Sequence, residues 1–180
     1  VCAVIHDHLV PALKTVDLRR FEAVHAAMNR TLRGYPYAKA AVEVAIMDAV
    51  GRRLSVPVYQ LLGGRFRDKV EIAHSIGLMD IDMAVAEAAK VVEEGVTTLK
   101  IKIGLDPDRD VSIVREVRKA VGDKTRIRVD ANQGYRNWRQ AVDAIQRMTE
   151  FGIAYAEQPV DGVPAMAEVS ARCSVPIMAD

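Results

Sequence analysis

The 180-residue sequence lacks several features that would assign it quickly to a class of protein. It has two cysteines, Cys2 and Cys173, without CxxC spacing, so we expect no disulfide framework and a reducing, cytoplasmic location. It has no run of about 18 apolar residues, so we expect no transmembrane helix. It opens at Val1 without a charged segment and apolar core, so we expect no signal peptide and some missing N-terminal sequence.

Neither sign of charge dominates, since 25 basic residues balance 24 acidic ones and the formal net charge is +1. This balance gives no basic surface of the kind that binds nucleic acid or membranes, so we expect neither partner. The composition, 50% hydrophobic and 27% charged, is that of an ordinary globular protein. A chain of this size buries roughly 70% of its unfolded surface, so a substantial core is possible.

Two regions of the chain differ in periodicity. Residues 1–68 have helical spacing, with Asp17 as the predicted cap of a helix that runs to Arg33. From about residue 70, short β runs alternate with amphipathic helices, which is typical of parallel βα units. The predicted strands are 70–76, 97–103, 126–131, 153–157 and 175–179, and the predicted helices between them are roughly 82–94, 107–121, 138–151 and 163–172.

Charged side chains end four consecutive predicted strands. Side chains alternate along a strand, so Lys100 and Lys102 share one face, about 7 Å apart, and aliphatic residues take the other. The next three strands end in acids, and the intervals that follow Lys102 are 28, 27 and 23 residues, each one βα period. These acids are Asp130, Glu157 and Asp180.

The order of the strands decides whether these groups meet. In a barrel, sequential strands are neighbours about 4.8 Å apart, so three carboxylates on adjacent strand ends can converge on one ion. In an open doubly wound sheet, sequential strands are often separated and the groups would be dispersed. We therefore expect an α/β fold with part of a (β/α)8 barrel. Five strands do not close a barrel of eight, so we expect a fragment of a longer chain.

The expected chemistry is proton transfer beside a metal ion. Three converging carboxylates would repel one another strongly without a cation, and oxygen ligands with a few waters suit Mg²⁺ or Mn²⁺. A free lysine is a poor base at neutral pH, but Lys100, the cation and partial burial would all favour the neutral amine of Lys102. A lysine base beside Mg²⁺ can take a proton from the carbon next to a carboxylate, because the metal stabilises the resulting ene-diolate.

Four motifs, in this order, resemble the enolase superfamily, most closely its muconate-lactonizing and mandelate-racemase branches. They are Lys100-Ile101-Lys102, Asp130-Ala131-Asn132, Glu157-Gln158-Pro159 and Ala179-Asp180. The resemblance implies three Mg²⁺ ligands (Asp130, Glu157 and Asp180), Lys102 as the acid/base and Lys100 as its support. An Asp as third ligand is more similar to the muconate-lactonizing branch, since mandelate racemases more often have Glu there. Asn132 is a candidate for orienting a ligand or contacting substrate, and a simple turn role is the open alternative.

The resemblance also implies a domain organisation and an activity. Residues 1–68 would form the helical part of an N-terminal capping domain, and residues 69–180 the first five βα units of the C-terminal barrel. The protein would be a racemase, epimerase or cycloisomerase that acts on a small-molecule carboxylate through an enolate. An acid-sugar dehydratase of the same superfamily is an alternative, and we also expect a homo-oligomer. The remaining capping-domain strands and the last barrel strands, with the opposing catalytic residue, are absent from the sequence.

The alternative is a protein of a different class, a non-catalytic or phosphate-receiving doubly wound module with an acidic pocket. Such a module would need paired acids after its first strand. The predicted first strand offers only Glu71, at its start. Arg126 and Arg128 are expected to fill the barrel interior and pair with acids. For His74, packing is favoured over substrate contact, and His6-Asp7-His8 is expected in a surface loop.

Three aspartates imitate the start of an EF-hand loop. Asp106, Asp108 and Asp110 have the right spacing, but valines occupy the positions that need Gly and Glu. We therefore predict no calcium site. Asp106 is instead expected to cap a helix that begins at Pro107, and Asn137 to cap the next one.

Overall fold

The first unit of the structure, Val1–Val70, contains helices and no strands, as its periodicity predicts. The structure is a computed structural model and describes residues 1–180. The helices of this unit are α1 (Cys2–Val4), α2 (Val10–Leu13), α3 (Phe21–Thr31), α4 (Pro36–Leu54) and α5 (Val58–Leu61), with a π-helical segment (Ile5–Leu9) between α1 and α2. Its buried core is formed by Leu9, Leu13, Val24, Ala27, Met28, Ala38, Val42 and Ile46.

Two local predictions for this unit were wrong. Asp17 does not cap α3, which begins only at Phe21; its carboxylate instead accepts the backbone N–H of Arg19 at 3.1 Å and pairs with the Arg19 guanidinium at 2.9 Å. The reason is that the chain forms a turn first, where the short Asp side chain binds the backbone two residues on. The sequence His6-Asp7-His8 is exposed, as expected, but lies in the π-helical segment and not in a loop.

The second unit, Glu71–Asp180, alternates strands and helices. Its strands are β1 (Ala73–Ile76), β2 (Thr98–Lys102), β3 (Arg126–Asp130), β4 (Ile153–Glu157) and β5 (Ile177–Met178). Its helices are α6 (Ile81–Glu93), α7 (Pro107–Val121), α8 (Trp138–Thr149) and α9 (Val163–Ser170). No helix of the structure combines the length and apolar character that a membrane span requires.

The five strands form one parallel sheet in the order β1-β2-β3-β4-β5. Every strand therefore lies beside its neighbours in the chain, as in a segment of a (β/α)8 barrel. The doubly wound alternative, in which the strand order reverses, is excluded by this topology. The predicted partial barrel is confirmed.

The core of this unit lies between the sheet and its helices. Leu99, Ile101, Ile127 and Val129 are completely buried on the helix side, where they pack with apolar residues of α6, α7 and α8. The alternating polar side chains of the same strands lie on the opposite face, so the predicted division of faces is confirmed.

Two helix starts in this unit follow the sequence signals. The side chain of Asp106 accepts the backbone N–H of Arg109 at 3.0 Å at the start of α7. The side chain of Asn137 accepts the backbone N–H of Gln140 at 3.1 Å at the start of α8. Both caps satisfy an N–H group that has no partner within its own helix.

Candidate active site

The strand register brings both predicted catalytic lysines and two of the three predicted ligands to one edge of the sheet. Lys102 pairs in register with Asp130, and Asp130 with Glu157, at the carboxyl ends of β2, β3 and β4. Lys100 lies two residues earlier on β2, opposite Arg128. Active sites of β/α barrels are built at this edge, where the strands end.

Two ammonium groups and two carboxylates form a continuous ion-pair cluster at this edge. The Nζ of Lys102 donates to Asp130 Oδ2 at 2.6 Å. The Nζ of Lys100 lies 2.9 Å from the same Asp130 oxygen and donates to Glu157 Oε1 at 2.8 Å. Asp130 is 1% exposed and Glu157 5%, so both acids need a cationic partner to remain charged. Lys100 and Lys102 serve as those partners.

The cluster shifts the pKa of Lys100 and of Asp130. Burial alone would lower the pKa of Lys100, but hydrogen bonds to Glu157 and Asp130 outweigh it and raise the pKa above its usual range. Burial would raise the pKa of Asp130, yet hydrogen bonds from the two lysines and from a backbone N–H hold it below its usual range. Lys100 is therefore a fixed positive charge beside an ionised Asp130.

A tight turn after β3 adds Asn132 to the site. The backbone N–H of Asn132 donates to Asp130 Oδ1 at 2.9 Å, and its side-chain Oδ1 accepts from Lys102 Nζ at 2.6 Å. Asn132 and Gln133 both have left-handed backbone conformations, with φ of 44° and 66°. Asn tolerates this conformation better than most residues. The turn role is thus observed, and it points the Asn132 amide at Lys102; a role toward a ligand or substrate stays a prediction.

The third carboxylate does not join the cluster. No group of three or more His, Cys, Asp or Glu side chains in the structure is arranged to hold a metal ion, so the expected convergence of the three acids was wrong. Met178, and not Asp180, is the residue in register with Glu157, so Asp180 lies two residues beyond this level and is exposed. The two buried acids are held by lysine ammonium groups instead.

The residues nevertheless fit a divalent cation. Asp130 and Glu157 are buried acids on adjacent strand ends, and both contact the one ammonium group of Lys100. A positive charge therefore already lies between them, and carboxylate oxygens are the ligands that Mg²⁺ prefers. Asp180 follows the next strand and is the available third acid.

Three further predictions concerned polar residues of the strands. Arg128 and Arg126 form no ion pair with an acid, so that prediction was wrong; Arg126 is exposed, and Arg128 lies over the Tyr155 ring, with Cζ 5.3 Å from the ring centre. The Nε of Arg128 is buried without a hydrogen-bond partner. His74 Nε2 lies 2.6 Å from Glu87 Oε1 on α6. His74 therefore contacts a helix, as its predicted packing role requires, and does not lie at the strand ends.

A buried aspartate that the sequence did not single out as functional fastens two loops beside the site. Asp110 is completely buried, and its Oδ2 accepts the backbone N–H of Gly104 at 2.7 Å and the hydroxyl of Tyr135 at 3.1 Å. Burial and the neighbouring Asp110 charge raise the pKa of Tyr135 far above its usual range, so the hydroxyl stays a donor. The loop after β2 is thereby tied to the loop after β3.

These two loops approach each other through their backbones. A Cβ atom on Gly104, which has φ of 99°, would lie 2.5 Å from the carbonyl oxygen of Ala131. A Cβ atom on Gly134 would lie 2.8 Å from the Cα of Gly104. Real Cβ atoms do not approach other atoms so closely, so these positions require glycine.

Removing the Asp110 carboxylate should destabilise the second unit. The Asp110→Ala variant leaves two buried donors without an acceptor, so we expect the free energy of unfolding to fall by about 2–5 kcal/mol. Urea denaturation followed by circular dichroism measures the change. Tyr135→Phe is the matched control, because it removes one donor and leaves the Gly104 bond intact; it should cost about 1 kcal/mol. Equal losses in the two variants would show that Asp110 does not fasten the loops.

Comparisons with known proteins agree with this geometry over the whole chain. Residues 83–180 match the family described as Enolase C-terminal domain-like. Residues 1–63 match the family described as Mandelate racemase / muconate lactonizing enzyme, N-terminal domain. The chain belongs to the mandelate racemase / muconate lactonizing enzyme family of the enolase superfamily. The resemblance that its sequence motifs carry is thus confirmed.

Several family members with named activities are similar to this chain. It is 36% identical to the N-succinyl-L-Arg/Lys racemase of Bacillus cereus, over 96% of this chain and 47% of that protein. It is 38% identical to the L-Ala-D/L-Glu epimerase of Bacillus subtilis, over 98% of this chain and 49% of that protein. It is 36% identical to muconate cycloisomerase 1 of Pseudomonas putida, over 98% of this chain and 48% of that protein. All three relatives are isomerases.

Solved structures of family members have the same fold. The N-succinyl Arg/Lys racemase from Bacillus cereus superposes with a TM-score of 0.93 at 35% identity, over 98% of this chain and 48% of that one. A dipeptide epimerase from Enterococcus faecalis, complexed with Mg and the dipeptide L-Leu-L-Tyr, superposes with a TM-score of 0.85 at 32% identity, over 92% of this chain and 47% of that one. The chain spans about half the length of the relatives it matches.

Proposed function

We propose that the protein is a Mg²⁺-dependent isomerase that removes the proton α to the carboxylate of a small-molecule substrate and forms an enolate. The observation that carries this proposal is the cluster at the strand ends, where the Lys102 amine lies 2.6 Å from a buried Asp130 carboxylate. A proton-transferring amine and an acidic cation site on adjacent strands are the two parts that α-proton transfer needs.

Lys102 is the proposed acid/base. Its side chain is 28% exposed, so its amine can reach a ligand above the strand ends, and hydrogen bonds to Asp130 and Asn132 fix its direction. Lys100 lies two residues deeper in the strand, and its hydrogen bonds to Glu157 and Asp130 keep it protonated. It is the proposed electrostatic support, because it places a fixed positive charge beside the acids that flank Lys102.

Asp130, Glu157 and Asp180 are the residues proposed to hold Mg²⁺. When bound, the ion would supply positive charge that stabilises the enolate oxygens. The two buried acids support the assignment, since each is partnered here by a lysine cation. The Mg named with the Enterococcus faecalis dipeptide epimerase gives further support. Mn²⁺ satisfies the same oxygen donors.

The proposed reaction is racemisation or epimerisation of an amino-acid derivative, because similar proteins are named as an N-succinyl-L-Arg/Lys racemase and an L-Ala-D/L-Glu epimerase. Cycloisomerisation of the muconate type is the second candidate, which the similarity to muconate cycloisomerase 1 favours. These relatives favour isomerisation over acid-sugar dehydration. The capping role of residues 1–68, the assignment of residues 69–180 as five barrel units, and a homo-oligomeric state remain predictions.

Deuterium exchange tests the proposed function. The protein is incubated in D₂O with Mg²⁺ and, separately, N-succinyl-L-arginine, L-Ala-L-Glu and cis,cis-muconate, and products are followed by NMR. We expect deuterium at the α-carbon of one amino-acid derivative, and loss of that exchange when EDTA removes the metal. Turnover of muconate without α-exchange of the other substrates would favour the cycloisomerase. Exchange that persists unchanged in EDTA would contradict the metal-dependent mechanism.

A further inference from the structure

The residue that follows the second acid is held in an unusual conformation. Gln158 is 9% exposed and has φ of 37°. This is the left-handed backbone region, which residues other than Gly, Asn and Asp rarely adopt. Such a conformation persists only where surrounding contacts determine it. The contacts of Gln158 therefore indicate what the conformation is for.

Gln158 binds both neighbouring strand ends through its backbone. Its N–H donates to the carbonyl of Met178 in β5 at 2.9 Å, and its carbonyl accepts the N–H of Gln133, in the turn after β3, at 2.7 Å. The ends of the three strands that carry or precede the proposed metal ligands are thus connected through one residue, Gln158, directly after Glu157.

The side chain extends this connection to Asp180. Its Oε1 accepts the backbone N–H of Asp180 at 2.9 Å, while its Nε2 donates to the carbonyl of Val160 at 2.9 Å. An N–H donor faces one end of the amide and a carbonyl acceptor the other, so only one orientation of the amide satisfies both. The Gln158 side chain therefore holds the backbone of Asp180, two residues beyond the end of β5.

We propose that Gln158 is a positioning residue that sets the place of Asp180 relative to Asp130 and Glu157. This inference rests on the proposed function, in which Asp180 is the third Mg²⁺ ligand. The backbone bond to Met178 aligns β4 with β5 but ends two residues short of Asp180. The Gln158 side chain reaches the backbone N–H of Asp180, and its buried amide gives Asp180 a fixed point of attachment.

A set of three variants separates positioning from general stability. Gln158→Met keeps the length of the side chain but removes both amide hydrogen bonds. Gln158→Glu keeps an oxygen that can accept the Asp180 N–H. Gln146→Met is the matched control, because Gln146 also joins two elements through one side-chain bond, from its Nε2 to the carbonyl of Arg172 at 3.0 Å, outside the cluster.

Two measurements are made on each variant. The first, without metal, is hydrogen exchange of the Asp180 backbone amide by NMR. The second is the affinity for Mn²⁺ alone, by isothermal titration calorimetry. We expect Gln158→Met to speed exchange of the Asp180 amide about 10-fold and to weaken Mn²⁺ binding about 10-fold, the lower end of the range for residues that orient a metal ligand. Gln158→Glu should keep the protection of the amide, and Gln146→Met should match the wild type in both measurements.

The outcomes distinguish the positioning role from the proposed function. Wild-type exchange of the Asp180 amide in Gln158→Met would overturn the positioning role, as would an equal loss of Mn²⁺ affinity in Gln146→Met. A wild-type protein that binds no Mn²⁺ would instead refute the metal site of the proposed function. The exchange measurement would then still decide whether Gln158 fixes Asp180.

Discussion

Replacing Lys102 with alanine should abolish exchange of the substrate α-proton on one face of the substrate, while Mg²⁺ remains bound. The variant removes the amine that lies 2.6 Å from both Asp130 and Asn132 but leaves the carboxylates in place. A positioned general base contributes on the order of 10²–10⁴-fold to rate, so the loss should be at least of that size. Deuterium incorporation by NMR, measured separately for each enantiomer, gives the result.

The matched control for Lys102→Ala is Lys119→Ala, which removes an exposed lysine on α7 that pairs with Glu116. It should exchange the α-proton at the wild-type rate. In a racemase, the base on the opposite face can still exchange the other enantiomer, so loss confined to one enantiomer supports the assignment. Wild-type exchange of both enantiomers by Lys102→Ala would show that another group is the base.

Replacing Asp130 with asparagine should weaken Mg²⁺ binding and reduce turnover strongly. Asp130 is the acid that both lysines share, and asparagine keeps its shape while removing its charge. The fold should also lose about 1–3 kcal/mol, because a charged hydrogen-bond acceptor in a buried position is replaced by a neutral one. Calorimetric titration with Mg²⁺ measures the affinity, and urea denaturation measures the stability.

Asp143→Asn is the control for this substitution, since the Asp143 side chain is 63% exposed and pairs only with Arg147 on the same helix. It should leave Mg²⁺ affinity and turnover unchanged and alter stability by less than about 0.5 kcal/mol. If Asp130→Asn bound Mg²⁺ as tightly as the wild type, Asp130 would not be a ligand.

The fold was predictable because its signals are local. Alternation along β2 placed Leu99 and Ile101 against the helices and the lysines on the other face, as the structure shows. The spacing of the strand ends then gave the register of Lys102 with Asp130, and of Asp130 with Glu157. A parallel sheet in chain order needs no further information, since each βα unit lies beside the previous one.

The parts of the site that were not predicted depend on contacts between distant residues. Asp110 lies in the first turn of α7, where the sequence pattern is that of an exposed acid. Its contact with Tyr135 arises only when the chain folds. Asp180 was expected level with Glu157, but the register of β4 with β5 places Met178 there. Register between strands is set by tertiary packing, which a single sequence does not encode in a pattern.

The glycine contact between the loops after β2 and β3 constrains how this protein can diversify. Gly104 and Gly134 each leave no room for even a methyl group, so a saturation library should be depleted of every other residue at both positions. We therefore expect these two glycines, in the loops that follow β2 and β3, to tolerate no substitution. Sequence variation around the ion-pair cluster must therefore arise on surfaces that can change without moving these two backbones apart.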